Sequence, residues 1–76
     1  MLFSENLKVL RKNYPRKLSQ EELANALDVT QRVYSYWETG KNEPGIDEIR
    51  KLCLFFGVSA DYLLGLPKGL SYPEDE

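Results

Sequence analysis

Leu23, Ala24 and Leu27 recur at helical spacing among charged and amide side chains, and the same rhythm returns in Val33, Tyr34 and Trp37. It returns again in Ile46, Ile49, Leu52, Cys53 and Phe56. Apolar positions three or four apart mark helices with one buried face, and no segment alternates as a half-buried strand would. The punctuation divides the chain into five predicted helices. Ser4 is the expected N-cap of the first, in which Leu7 and Leu10 share a face with Phe3 as a further candidate, and Asn13-Tyr14-Pro15 ends it. Ser19 opens the second with a capping box to Glu22. Thr30 caps the third, which stops at Gly40; the fourth follows the loop KNEPG and stops at Gly57; Ser59 caps a short fifth through Leu64, closed by Gly65. From Leu66 onward there is no periodicity. The expectation is therefore a folded domain over residues 1–66 and a frayed acidic tail over 67–76, ending in PEDE.

The third helix has more polar surface than its fold requires. Val33, Tyr34 and Trp37 read as one apolar stripe, which leaves Gln31, Arg32, Ser35 and Tyr36 facing elsewhere. Only Asp28 and Val29 separate this helix from the second, and so short a joint forces the two axes to cross steeply. Counted from Gln20, the fourth, fifth, eighth, tenth, fifteenth and eighteenth positions are Leu23, Ala24, Leu27, Val29, Tyr34 and Trp37. The fifth must be small because the helices approach closely there, the others must be apolar to fill the angle between them, and no proline interrupts the unit.

Composition narrows the chemistry. A chain of 76 residues is one small domain, and a hydrophobic content of 42% lets it fold without staples if it packs compactly. The single cysteine, Cys53, rules out an internal disulfide framework and is expected in the core. There is no histidine, hence no base poised near neutrality and no imidazole metal ligand. Neither metal nor cofactor is expected. GKNEPG lacks the spacing and the lysine-serine end of a phosphate-binding loop, so an enzyme is the least favoured class. No apolar run is long enough for a bilayer and the N-terminus lacks a signal-peptide core, which reads as soluble and cytoplasmic. A net charge of −2 argues on its face against nucleic acid. Its distribution reverses that picture: residues 1–41 carry seven basic side chains against five acidic, and residues 42–76 three against seven.

LSQEELANALDVTQRVYSYWETGKNEPGIDEIRKLCLFFGVSADYLLG resembles the lambda-repressor-like helix-turn-helix family, also called the Cro-like or XRE family of bacterial and phage regulators. The likeness covers roughly residues 4–65 and is carried by SQEELA, YWETGK and FGVSADYLLG. It implies an all-α, five-helix domain that binds operator DNA, usually as a dimer, with the third helix in the major groove. Two features depart from the pattern: Asp28 occupies a turn position usually held by glycine, and the NYPRKL link is about two residues longer than usual. A helix entering the major groove presents donors and acceptors from its first turns, which makes Gln31, Arg32, Ser35 and Tyr36 the candidate base readers. Candidate phosphate contacts are Gln20 and Thr30 at helix starts, Lys41 and Asn42 just past the third helix, and Arg16 and Lys17 by charge alone. The resemblance also implies an ion pair between Arg11 and Glu38 that bridges helices one and three.

A dimer would use surface that the fold leaves spare beside helix five: Phe55, Tyr62, Leu64 and Leu66, with Leu70 and Tyr72 added if the tail folds back. The plainer reading of Leu64 is that it shields the domain's own core. The leading function is a sequence-specific transcriptional regulator on double-stranded DNA. The alternative is a protein-interaction module, such as an antitoxin or anti-repressor, kept in view by the net negative charge and by apolar residues such as Leu54.

Overall fold

Three hydroxyls define where helices begin. In the computed structural model, which describes residues 2–71, Ser19, Thr30 and Ser59 each sit in extended conformation and accept a hydrogen bond from the amide three residues on, at 3.0, 3.1 and 3.2 Å. They open α2 (Gln20–Ala26), α3 (Gln31–Thr39) and α5 (Ala60–Leu64). The Ser19 amide returns a bond to the Glu22 carboxylate at 3.3 Å, which completes the capping box. Gly40 and Gly57 end α3 and α4 (Ile46–Phe56) in the left-handed region at φ 80° and 68°, where a side chain would be strained.

Ser4 does not cap the first helix. α1 (Phe3–Lys12) starts from Leu2, whose amide donates to the Glu5 carboxylate at 3.3 Å. The earlier start brings Phe3 against the core, and Ser4 lies inside the first turn.

The core is Leu7, Leu18, Leu23, Ala24, Leu27, Tyr34, Trp37, Leu52 and Leu63. α3 packs on both α1 and α2, and α5 packs on α1 and α4. Every helix-turn-helix position expected to be apolar is buried or packed against this cluster, and Ala24 is 1% exposed at the crossing. Asp28 supplies the tight turn at φ 62°, the one non-glycine residue with positive φ among the described residues.

Two apolar residues expected on buried faces are turned outward. The buried stripe of α3 runs through Tyr34, Trp37 and Glu38, and Val33, about 100° off it around the helix, is 39% exposed. Ile46 is 76% exposed because the first turn of α4 precedes the point where the helix meets the core at Ile49 and Leu52.

One buried polar residue fixes α5. Asn6 on α1 donates from Nδ2 to the carbonyls of Tyr62 and Leu63, at 3.1 and 3.3 Å, and so satisfies the end of a five-residue helix too short to stand alone. Phe55, expected beside α5 as spare surface, is half-buried under Tyr14, with ring centroids 5.5 Å apart. Tyr72 and the acidic end of the chain lie outside the described residues. Among the described residues no helix is long and apolar enough to cross a membrane, and no group of three or more His, Cys, Asp and Glu side chains could hold a metal ion.

Candidate nucleic-acid interface

The outer side of α3 begins with Gln31 and Arg32, both exposed, and continues through half-buried Ser35 and Tyr36. Arg32 donates from Nε to the Tyr36 hydroxyl at 3.1 Å. Lys41 stands over the same ring, its ammonium 4.6 Å from the centroid, a cation–π contact. The left-handed turn at Gly40 makes this possible: it brings the chain back so that the amides of Lys41 and Asn42 both donate to the Tyr36 carbonyl, at 3.0 and 3.3 Å. Arg32, Tyr36 and Lys41 thus form one strip along the helix. Exposed Val33 adds an apolar group to α3's outer surface that the apolar pattern had assigned to the core.

A second element adjoins this strip. Arg11, Lys12, Arg16, Lys17, Leu18, Ser19, Gln20 and Gln31 line an open groove of about 420 Å³. Five of the expected contact residues or their supports, Arg11, Arg16, Lys17, Gln20 and Gln31, are brought together there, and Gln31 joins the groove to α3. Lys17 is exposed, whereas Arg16 is engaged: it pairs with Glu22 at 3.0 Å and lies 5.6 Å from the Tyr14 ring centre. The Glu22 carboxyl is held below its ordinary range by the Ser19 backbone hydrogen bond and by Arg16. Thr30 already accepts the Val33 amide, which leaves its hydroxyl proton for an outside acceptor.

Behind the groove lies the expected ion pair, within a larger network than the sequence suggested. Arg11 grips Glu38 through Nε at 2.6 Å and Nη2 at 3.1 Å, and its Nη1 donates to the Leu18 carbonyl at 3.1 Å. The Tyr34 hydroxyl donates to Glu38 Oε2 at 2.5 Å and the Gln20 amide to Oε1 at 3.0 Å. Both carboxylate oxygens are therefore doubly bonded by donors, which is full occupancy for a buried carboxylate. Burial pushes the Glu38 carboxyl up, but the hydrogen bonds from Arg11, Tyr34 and Gln20 outweigh it and hold it below the usual range. The Glu38 hydrogen bond raises Arg11 further, and burial together with Glu38 raises the Tyr34 phenol, so all three keep their ordinary charge states at neutral pH. Gln20 is thereby tied to α1 and α3. Tyr34 and Glu38 stand four apart on α3, a spacing that signals a side-chain pair.

A helix-turn-helix family model matches residues 7–63. The chain belongs to the lambda-repressor-like helix-turn-helix family. Over 63 residues it is 40% identical to the HTH-type transcriptional regulator YqaE of Bacillus subtilis, covering 83% of this chain and 53% of that protein. Along its whole length it is 36% identical to the HTH-type transcriptional activator BcrR of Enterococcus faecalis, covering 36% of that protein. The chain thus spans about half, or less, of the length of these relatives. Among solved structures, the P22 c2 repressor in complex with a synthetic operator superposes with a TM-score of 0.77 at 30% identity, over 84% of this chain and 94% of that one. The five helices and the α2–α3 unit are those of this helix-turn-helix family.

Proposed function

We propose that this helix-turn-helix protein is a sequence-specific DNA-binding transcriptional regulator, without catalytic chemistry, that acts in the cytoplasm by placing α3 in the operator major groove. The observation that carries this reading is the continuity of a basic, amide-rich groove at the start of α2 with the polar strip on α3. The fold's kinship with a repressor solved on operator DNA supports it. Gln31 and Arg32 supply the two side chains best matched to base edges, a glutamine for adenine and an arginine for guanine, with Ser35 beside them and Val33 able to meet a thymine methyl. Lys17, Gln20, Thr30, Lys41 and Asn42 take phosphates, with Arg16 available once it leaves Glu22. Residues 1–66 form the binding domain.

The working unit is a two-fold dimer, since one such domain reads too few base pairs to single out an operator. Tyr62 and Leu64, on an α5 anchored by Asn6, and Leu66 just past it are 49, 40 and 46% exposed and form its contact. A protein-interaction role is the second reading, favoured by Leu54 at 79% exposure.

Binding to a random duplex library across a salt series tests the proposal. The expected result is selective enrichment of sites with a steep salt slope, about −0.9 per phosphate neutralised. A flat slope on every duplex would refute DNA binding and leave the protein-interaction role.

A further inference from the structure

We infer that Tyr36 is a positioning residue for specificity: its hydroxyl sets the Arg32 guanidinium for an end-on bidentate contact to one guanine, and the phenol does not itself read a base. This rests on the DNA-reading role of α3. An exposed arginine carries large rotamer freedom, and a fork held in one orientation loses less on forming paired hydrogen bonds. Tyr36 provides that restraint from one turn away, where i and i+4 side chains meet. The arginine Nε donates to the phenol oxygen at 3.1 Å, so the side-on edge of the guanidinium is occupied. The two terminal nitrogens keep all their hydrogens, and their outward pair matches guanine O6 and N7.

The phenol is itself held. Its ring is half-buried, the Lys41 ammonium covers one face at 4.6 Å, and the backbone carbonyl of the same residue accepts the amides of Lys41 and Asn42. Among the described residues no carboxylate pairs with Arg32 or Lys41, so neither cation has a partner that competes with DNA. Tyr36 thereby organises a cation for a base on its hydroxyl side and a cation for a phosphate on its face.

The test is Tyr36→Phe, which keeps the ring and the lysine contact and removes only the hydroxyl. Affinities are measured for the best library site and for every single-base-pair variant of it, in the parent, Y36F, R32A and the double variant. Arg32→Ala identifies the guanine at which discrimination collapses. Y36F is expected to reduce discrimination at that same base pair about 2- to 10-fold, the worth of one hydrogen bond. Discrimination elsewhere, non-specific affinity, its salt slope and the melting temperature should stay unchanged, and Y36F should add nothing in the R32A background. An undiminished preference for that guanine in Y36F, a loss at another base pair, or an equal loss in the R32A background would overturn the inference. A parent that prefers no duplex refutes the DNA reading itself, a result distinct from all of these.

Discussion

Glu38→Gln is nearly isosteric, yet it strikes the one carboxylate that four donors share. The Glu38 side chain is 2% exposed and that of Arg11 16%, so the pair is largely withdrawn from water. The amide retains one oxygen, able to accept two of the four bonds, while its new NH2 group faces donors. Arg11 is left as a partly buried cation without a counter-charge. Removing one member of a buried pair costs about 3–5 kcal/mol; the remaining bond from Arg11 to the Leu18 carbonyl and its residual exposure bring the expectation to about 2–4 kcal/mol. A domain of this size has a total stability of about 4–11 kcal/mol, and each kcal/mol moves the midpoint by about 4–8 °C, so Tm is expected to fall by about 8–32 °C. The assay is urea unfolding followed by far-ultraviolet circular dichroism, repeated from neutral pH to about pH 3.

The pH dependence is the sharper half of the prediction. Burial raises the Glu38 carboxyl and its hydrogen bonds lower it further, to a net value below the ordinary range, so its folded pKa lies under its unfolded one of about 4.3. A depressed carboxylate contributes its stability in full above the unfolded value and loses it as pH falls through the folded value. The gap between the parent and Glu38→Gln should therefore be widest at neutral pH and narrow progressively as pH falls below the unfolded value of about 4.3 and through the lower folded one. Adding Arg11→Met should recover part of the loss, because it removes the stranded cation. A gap that stays constant from neutral to acid, or a single variant within about 0.5 kcal/mol of the parent, would refute a charged, fully bonded Glu38.

Asp28→Gly relieves a left-handed side chain that costs about 1–2 kcal/mol, offset by glycine's greater unfolded freedom of about 0.4–1 kcal/mol. A net gain of about 0.5 kcal/mol, or 2–4 °C by calorimetry, is expected, and a lower Tm would show that the aspartate side chain itself holds the turn. Tyr62→Glu places two like charges across the proposed dimer contact and should abolish cooperative filling of paired half-sites about 34 Å apart while leaving single half-site affinity intact. Footprints identical to the parent's would exclude this face as the dimer contact.

The turn chemistry was the most legible part of the chain. Ser19, Thr30 and Ser59 cap because a hydroxyl or box partner stands at the right offset, and Gly40 and Gly57 terminate because only they adopt the left-handed stop without strain. Ser4 misled because a hydroxyl near a helix start need not be its cap: the helix begins at Phe3, which meets the core, a contact between distant residues. Val33 and Ile46 misled for a related reason: periodicity gives the spacing of a buried stripe but not its rotation about the axis, nor the turn at which a helix first reaches the core. Of the interface, Arg11 with Glu38 was visible through family likeness, whereas the part of Gln20 was not, since nothing local links it to a glutamate eighteen residues on. Phe55 under Tyr14 and Asn6 on the end of α5 are likewise products of the fold, written in no short stretch of sequence.

Trp37, the only tryptophan in the chain, is 3% exposed and meets the Tyr34 ring edge-on at 5.8 Å. It projects from the same helix that carries Gln31 and Arg32, but into the core. The protein therefore contains its own optical gauge: indole emission is blue-shifted while α3 is seated and moves to the red when that helix leaves its bed. Because the tyrosine beside it can pass excitation to the indole, the indole emission gained when phenols and indole are excited together, over that from exciting the indole alone, adds a second channel to which the Tyr34–Trp37 pair contributes. The seating of α3 can thus be followed in real time, with the unmodified protein, while duplex is titrated in.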